Sequence, residues 1–302
     1  MKRMLRNFFK PHGKGVYLHV YNHSVVLEND MLPFKDWEKI QFKFIVDRYL
    51  QKYNIELISL TVMSNHFHML LYCPPEKFSQ EEALNAYNSF HRRKKHPVKP
   101  GDYRAESLIE TSNDISCFMR EVQSEFSKSF NGNQPYKRRG ALWQDRFKCQ
   151  LIQSDVYLWA CLRYIEMNPV RAGICKNAEN YAHSSFGQWI QTGKHPYGGN
   201  FTHHILKIMS CERGIEELQL LMKKELEAVK IKDQIKLCVN LGKKDEAERL
   251  RSIIPEGFDD IELLGFRDSN WIKGAIIGTE EYKNQKYHEW AKWQAMELES
   301  SA

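Results

Sequence analysis

The chain has 302 residues and a formal net charge of +6, with 42% hydrophobic and 27% charged residues. This length allows one large domain or two ordinary ones, and the composition excludes a mainly disordered protein. No apolar stretch approaches the roughly 18 residues of a membrane span, and the basic N-terminus lacks the apolar core of a secretory signal. The seven scattered cysteines have no zinc-type spacing. We therefore expect reduced thiols and a cytoplasmic, nucleoid-associated protein without a membrane partner.

The positive charge is concentrated in the first two thirds of the chain. Residues 1–190 contain 27 basic and 19 acidic residues, a balance of +8, whereas the remainder contains 17 and 19, a balance of −2. A basic region favours contact with a polyanion, because neutralised phosphates release counterions. An excess of this size also occurs on ordinary solvated surfaces, so charge alone only suggests a nucleic-acid partner.

The hydrophobic pattern predicts the element order β-α-β-β-α-β-α before a change near residue 195. We expect strands at 15–27, 55–63 and 66–72, two strand-like pieces within 140–152, and helices at 35–53, 114–130 and 154–168. Residues 78–104 are polar and indicate an excursion with one short helix. Asn131-Gly132 and Pro169 are expected to end the second and third helices. This order is typical of an α+β domain with an antiparallel or mixed sheet.

A Gly- and Pro-containing stretch at 191–200 (QTGKHPYGGN) indicates a domain boundary. It divides the chain into a domain at 1–192 and a mainly helical region at 200–302, with helices expected at 203–230, 234–253 and 282–299. The second region is either a DNA-binding module, with a helix-turn-helix around 244–282, or a packing or regulatory appendage. The charge of −2 over residues 191–302 argues against strong phosphate contact.

Two histidines, His66 and His68, are separated by one residue in a predicted strand. Because strand side chains alternate, both lie on one face while Phe67 anchors the other. Two imidazoles about 7 Å apart at their Cα atoms can converge on one divalent metal ion. In a chain with 12 histidines such a pair is also common by chance. An ordinary polar strand face therefore stays open as the alternative.

The helix predicted at 154–168 has a polar stripe formed by Tyr157, Cys161, Tyr164 and Asn168. A tyrosine phenol can act as a covalent nucleophile toward phosphorus. An asparagine oxygen one turn further along is a hard ligand that suits Mg²⁺ or Mn²⁺. The alternative is a core tyrosine with its hydroxyl at the rim, followed by a helix-end asparagine.

Three segments together resemble a known family. The segment TVMSNHFHMLL is similar to the signature of HUH single-strand DNA transposases, in which two histidines flank a hydrophobic residue. The segments RGALWQDRFKCQLI and YLWACLRYIEMNPVRAGICKNAENYAHSSF resemble the Y1 (IS200-like) transposases, and most closely their REP-associated tyrosine transposase branch. The resemblance runs in collinear order from about Gly15 to Trp189. The joint occurrence of the motifs is far more specific than any one of them.

The resemblance implies a ferredoxin-like HUH domain that cleaves and rejoins single-stranded, hairpin-forming DNA. By position, Tyr164 matches the catalytic tyrosine, His66 and His68 match the metal pair, and Asn168 stands at the third metal ligand. The implied cofactor is Mg²⁺ or Mn²⁺, and the implied intermediate is a 5′-phosphotyrosine with a free 3′-OH. The enzyme would act as a monomer or homodimer. His19, on the first strand, either supports the metal site or is a core residue.

Basic and aromatic residues beside loops are candidate DNA contacts through phosphates and stacked bases. They are Arg92, Arg93, Lys94, Lys95, Lys137, Arg138, Arg139, Trp143 and Arg171. Solvated loops would explain the basic runs equally well, and Arg171 would also suit a helix end.

Three other functions compete with the transposase. The first is a domesticated hairpin-binding protein without cleavage activity. An RNA-binding ferredoxin-like module is disfavoured because the aromatic motif of that class is missing. A phosphodiesterase with histidine acid and base would need a second HxH or HxT element, which the sequence does not contain.

Overall fold

The computed structural model describes most of the chain. The described residues are Phe9, Pro11, 13–25, 32–91, 97–133, 138–153, 156–209, 214–255 and 274–300. Outside them lie the middle of the suggested helix-turn-helix and five of the candidate DNA contacts, Arg92, Arg93, Lys94, Lys95 and Lys137. None of the helices among the described residues is both long enough and apolar enough to cross a membrane.

A five-stranded sheet lies at the centre of the described structure. Its strands are β1 (Val16–His23), β2 (Glu56–Val62), β3 (His66–Cys73), β4 (Lys148–Ile152) and β5 (Ile276–Ile277). They lie in the order β2-β3-β1-β4-β5, and all neighbours are antiparallel except β5, which runs parallel to β4. With β1 and β3 central, the first four strands have the ferredoxin-like order. The predicted α+β fold is confirmed.

Helices connect and cover the strands. They are α1 (Asp36–Leu50), α2 (Gln80–Phe90), α3 (Tyr103–Thr111), α4 (Ile115–Asn133), α5 (Val156–Arg171), α6 (Ser185–Thr192), α7 (Gly198–Met209), α8 (Ile215–Asn240), α9 (Lys244–Arg251) and α10 (Glu280–Ser300). The region at 78–104 therefore holds α2 and the start of α3 rather than a single short helix. The reason is local, because Ser79 caps α2 and Asp102 caps α3 through their side chains.

The alternation in β3 divides the core as its sequence predicts. Phe67 and Met69 point to a core that includes Phe42 of α1 and Phe126 of α4. Leu70 points to the opposite core, which contains the apolar side of α5. The rings of Phe42 and Phe67 lie 4.7 Å apart between centroids. Phe67 therefore anchors the strand from behind, and the two histidines are left on the face shared with α5.

Three predicted boundaries are wrong. Helix α5 continues through Pro169 to Arg171, because Pro169 is buried and backbone bonds from Ala172 to Asn168 and from Ile174 to Pro169 continue beyond it. Helix α4 runs to Asn133, beyond Asn131-Gly132, since glycine within a helix costs only about 1 kcal/mol relative to alanine. Only β4 forms within 140–152. The earlier piece makes a single bridge from Trp143, opposite the point where β1 has already ended.

A buried carboxyl joins α5 to the sheet and to α6. Glu166 is fully buried and accepts hydrogen bonds from the Ser59 hydroxyl at 2.6 Å and from the backbone N–H of Phe186 at 3.1 Å. Burial raises its pKa to about 7, although these hydrogen bonds oppose the shift. The folded protein therefore holds a proton on Glu166 that the unfolded chain releases at lower pH.

This proton makes the contribution of Glu166 to stability depend on pH. Because its folded pKa lies above the unfolded value, the contribution is complete below about pH 4.5 and is lost as the pH rises toward about 7. Between pH 5 and pH 8, wild type should lose roughly 3 kcal/mol relative to the neutral Glu166→Gln variant. Urea unfolding of both proteins across this range measures the difference. A pH-independent difference would contradict the buried, protonated carboxyl.

The region after residue 192 packs against the first one through several elements. In α8, Glu225 forms a buried ion pair with Arg163 of α5 and accepts a hydrogen bond from Trp159. In α7, His204 bridges Glu56 at 2.9 Å and Tyr17 at 3.0 Å on the sheet. Strand β5 then joins the sheet edge. These contacts place the C-terminal elements against the strands and the helix that carry the candidate site.

Candidate active site

The candidate site is a pocket between one end of the sheet and the last two turns of α5. We call this cavity the histidine pocket. It is lined by His19, Tyr21, His23, His66, His68, Gln150, Tyr164, Asn168, Arg171 and Ala172. Pairing of β1 with β3 and β4 brings the strand residues together, with His19 opposite both Leu70 and Gln150. The apolar residues of α5 hold the helix on the same face.

The structure brings together the four residues that the sequence suggested for catalysis and metal binding. His66 and His68 come from β3, and Tyr164 and Asn168 come from α5. The ring of Tyr164 meets that of His68 edge-on, with 5.6 Å between centroids. It meets the ring of His19 at 5.9 Å. The phenol and the histidine pair therefore share one cavity, as a nucleophile and a metal site must.

Both histidines have one ring nitrogen engaged in a way that suits metal binding by the other. Nδ1 of His66 lies 2.7 Å from Oδ1 of Asn65, and Nδ1 of His68 lies 2.9 Å from Nε2 of His19. Metal-binding histidines commonly have their second nitrogen held in this manner. The two rings are 5.2 Å apart and perpendicular. Nε2 of each ring is then the candidate ligand atom.

Protonation does not compete with metal binding near neutral pH. Burial, followed by the charge of His23, lowers the pKa of His66 to about 4. Burial, followed by His19, lowers the pKa of His68 well below its usual value. Neutral imidazole is the form that coordinates a metal. Both side chains are thus in the binding form at pH 7.

Asn168 completes a mixed nitrogen and oxygen donor set. Its Nδ2 donates to the backbone carbonyl of Tyr164 at 2.9 Å, which fixes the amide and leaves Oδ1 as the possible ligand. No cluster of three His, Cys, Asp or Glu side chains suited to a metal occurs within the described ranges. A metal here would therefore depend on two imidazoles and this amide oxygen, a set compatible with Mn²⁺ or Mg²⁺.

Arg171 brings a positive charge to the pocket. Its guanidinium carbon lies 5.6 Å from the ring centroid of Tyr164, and its Nε donates to Asp233 of α8 at 2.8 Å. The side chain is only 8% exposed. Its Nη1 is buried without a hydrogen-bond partner among the described residues. Because Arg171 lines the pocket beside Tyr164, its guanidinium makes this side of the pocket suitable for an anion.

The other candidate DNA contacts are not brought to the pocket. The Trp143 ring packs among Phe34, Phe42, Phe67 and Phe126 on the opposite face of the sheet. Arg138 binds Asn131 and the carbonyl of Ala141, and so fastens a loop to the end of α4. Arg139 is exposed. The remaining basic residues, Arg92, Arg93, Lys94, Lys95 and Lys137, lie outside the described residues.

Sequence reasoning missed three polar residues of the pocket. Tyr21 and His23 lie on the same face of β1 as His19, and the alternation of that strand was a signal that could have identified them. Gln150 had no such signal. Its role depends on β4 pairing with β1, a contact between residues more than a hundred positions apart.

Comparison with known proteins gives two similarities. No protein-family profile matches the chain. A Haemophilus influenzae protein, whose name assigns it to the REP-associated tyrosine transposases, is 24% identical over 183 residues, covering 60% of this chain and 88% of the relative. A solved structure of a REP-associated tyrosine transposase bound to a REP hairpin aligns with a TM-score of 0.40 and 16% identity. That alignment covers 61% of this chain and 85% of the solved one.

Proposed function

We propose that this chain is a metal-dependent transposase and endonuclease of the REP-associated tyrosine type. It would cleave and rejoin single-stranded DNA at hairpin-forming sequences through a 5′-phosphotyrosine on Tyr164. The observation that carries the proposal is the shared pocket of Tyr164, His66, His68 and Asn168, with Arg171 at its side. The distant similarity to a protein named as a REP-associated tyrosine transposase supports the same class.

Tyr164 is the proposed nucleophile. Its phenol oxygen would form a bond to the scissile phosphorus while the bond to the 3′ oxygen breaks. The phenol loses its proton, and the departing oxygen takes one up to become a free 3′-OH. The 5′-phosphate stays on Tyr164 as a diester, so a second 3′-OH can reverse the step without an external energy source.

His66, His68 and Asn168 are the residues that would hold Mg²⁺ or Mn²⁺. When bound there, the ion supplies Lewis-acid stabilisation of a non-bridging phosphate oxygen. The protein contributes the ligand orientation, since Asn65 and His19 hold Nδ1 of the two histidines. It also keeps both imidazoles neutral by burial. These features prepare the site before DNA binds.

Arg171 is proposed to bind a phosphate next to Tyr164. Asp233 engages Nε of the guanidinium, and the buried Nη1 has no described partner. Arginine suits this task because its planar fork binds phosphate through two donors. A phosphate bound where Arg171 lines the histidine pocket would lie beside the phenol of Tyr164.

Removing this contact should weaken binding at every DNA sequence to a similar degree. We expect Arg171→Ala to lower hairpin affinity by roughly tenfold and to reduce the slope of log affinity against log salt by about 1. Fluorescence anisotropy at several NaCl concentrations measures both. Arg251→Ala is the matched control, because Arg251 is half exposed and pairs with Glu248 on its own helix, away from the histidine pocket. Equal slopes for the two variants would contradict a phosphate contact at Arg171.

The proposed function is tested with end-labelled hairpin DNA from the genomic flanks of the coding gene. The protein is incubated with this DNA and Mg²⁺ or Mn²⁺, and the products are separated on a denaturing gel. A metal-dependent band of protein-linked DNA is expected. Tight binding without any linked product in either metal would favour the alternative, a hairpin-binding protein that has lost cleavage activity.

A further inference from the structure

A chain of hydrogen bonds leads from the backbone near β5 into the histidine pocket. Nε2 of Gln150 lies 2.8 Å from the carbonyl oxygen of Gly274. Oε1 of Gln150 lies 2.8 Å from Nδ1 of His19, and Nε2 of His19 lies 2.9 Å from Nδ1 of His68. The three side chains are at most 4% exposed. Because water does not reach these buried groups, the direction of each hydrogen bond decides which imidazole nitrogen carries the proton.

The direction of every hydrogen bond in this series follows from the carbonyl of Gly274, with which the series begins. A backbone carbonyl can only accept, so the amide nitrogen of Gln150 must face Gly274 and its oxygen must face His19. That oxygen also only accepts, so Nδ1 of His19 carries the proton. A neutral imidazole has one proton, so Nε2 of His19 accepts from Nδ1 of His68.

We propose that Gln150, anchored by the carbonyl of Gly274, is a positioning residue that fixes His68 in the tautomer with an unprotonated Nε2. The inference rests on the proposed function in one respect, that His68 is a metal ligand. This series of hydrogen bonds requires neutral imidazole rings at His19 and His68. Burial favours neutral rings, since His19 and His68 are 1% and 4% exposed and a charged imidazole is costly there.

This series of hydrogen bonds, from Gly274 through Gln150 and His19 to His68, gives the C-terminal region a role in the pocket. Gly274 lies two residues before β5, whose buried Ile276 and Ile277 pair with the end of β4. The backbone of Leu151 donates to Ala275 at 2.9 Å, and that of Gln153 donates to Ile277 at 2.7 Å. This pairing holds the Gly274 carbonyl at Gln150. A segment over a hundred residues from the histidine pair thus determines which nitrogen of His68 can bind a metal.

Nitrogen-15 NMR of the metal-free protein tests this series of hydrogen bonds without reference to activity. Long-range ¹⁵N–¹H spectra of histidine-labelled protein distinguish imidazoles protonated at Nδ1 from those protonated at Nε2. In wild type, we expect His19 and His68 to be protonated at Nδ1, with signals assigned from His19→Gln and His68→Gln. Gln150→Leu removes the acceptor and should give mixed tautomers. Gln150→Glu, as a buried neutral carboxylic acid, can donate to Gly274 and accept from Nδ1 of His19, and should restore the wild-type pattern.

Metal binding to the same proteins provides the second readout. Gln150→Leu should lower the affinity for Mn²⁺, measured by electron paramagnetic resonance of the free ion, by about 10–100-fold. The Mn²⁺ affinity of the Gln150→Glu variant should fall much less. Gln144→Leu is the matched control, because Gln144 is exposed on the turn before β4 and should leave the affinity unchanged. Circular dichroism and thermal unfolding show that each variant is folded.

Two results would overturn the inference. One is a wild-type His68 protonated at Nε2, and the other is a Gln150→Leu variant with wild-type tautomers and Mn²⁺ affinity. Neither would affect the gel test of covalent DNA linkage. A missing protein–DNA band would instead reject the proposed function, whatever the tautomers of the two histidines.

Discussion

Tyr164→Phe should abolish the covalent protein–DNA product and leave hairpin binding within about threefold of wild type. The substitution removes one oxygen from a half-buried ring that meets His19 and His68 edge-on, so packing should change little. Loss of a covalent nucleophile typically costs at least about 10³-fold in rate. Single-turnover formation of the linked band measures the rate, and anisotropy measures the binding.

Tyr157→Phe is the matched control for this experiment. Tyr157 lies two turns earlier on α5, and the residues that line the histidine pocket do not include it. The control should form the covalent product at a rate close to that of wild type. Undiminished product from Tyr164→Phe would mean that another residue attacks the DNA. Equal loss from both variants would mean that the helix, rather than the phenol, is required.

His66→Ala should remove metal-dependent cleavage while the protein stays folded. His66 is only partly buried, whereas His68 is buried and hydrogen-bonded to His19, so the change at His66 disturbs packing less. A Lewis acid in phosphoryl transfer contributes several kcal/mol, which corresponds to roughly 10²–10³-fold in rate. We expect a loss of this size, together with weaker Mn²⁺ binding. Raised Mn²⁺ concentration should recover part of the rate.

The control for His66 is a histidine far from the metal site. His203 is exposed on α7, and His203→Ala should keep the rate and the metal affinity of wild type. Cleavage by wild type in the presence of excess chelator, or an unchanged rate for His66→Ala, would contradict the metal role. Asn168→Ala should lower the rate and the Mn²⁺ affinity as well, since it removes the amide oxygen of the proposed ligand set.

Local pattern was sufficient to predict the parts of the pocket that lie within single elements. The alternation of β3 put His66 and His68 on one face, and the helical spacing of α5 put Tyr164 beside Asn168. Both predictions depend only on the geometry of one strand or one helix. Local geometry does not say that the strand and the helix meet. The resemblance to a transposase family related them, because the motifs of both segments belong to one site in that family.

Contacts between distant segments could not be predicted in this way. The register that sets His19 opposite Gln150 and the docking of β5 beside β4 both join segments over a hundred residues apart. A strand of two residues, Ile276–Ile277, carries almost no periodic signal. Pro169 misled for a different reason, because packing of this buried residue outweighs the hydrogen bond that proline removes from the helix.

The central claim, that Tyr164 is the residue joined to DNA, is tested most directly by mass spectrometry of the covalent product. After nuclease digestion, trypsin separates the tyrosines of interest. Tyr164 falls in the peptide 164–171, Tyr157 in 149–163 and Tyr21 in 15–35. We expect the mass of a residual nucleotide phosphate on the peptide 164–171, with fragment ions that assign it to Tyr164. The same mass on either of the other peptides would contradict this assignment.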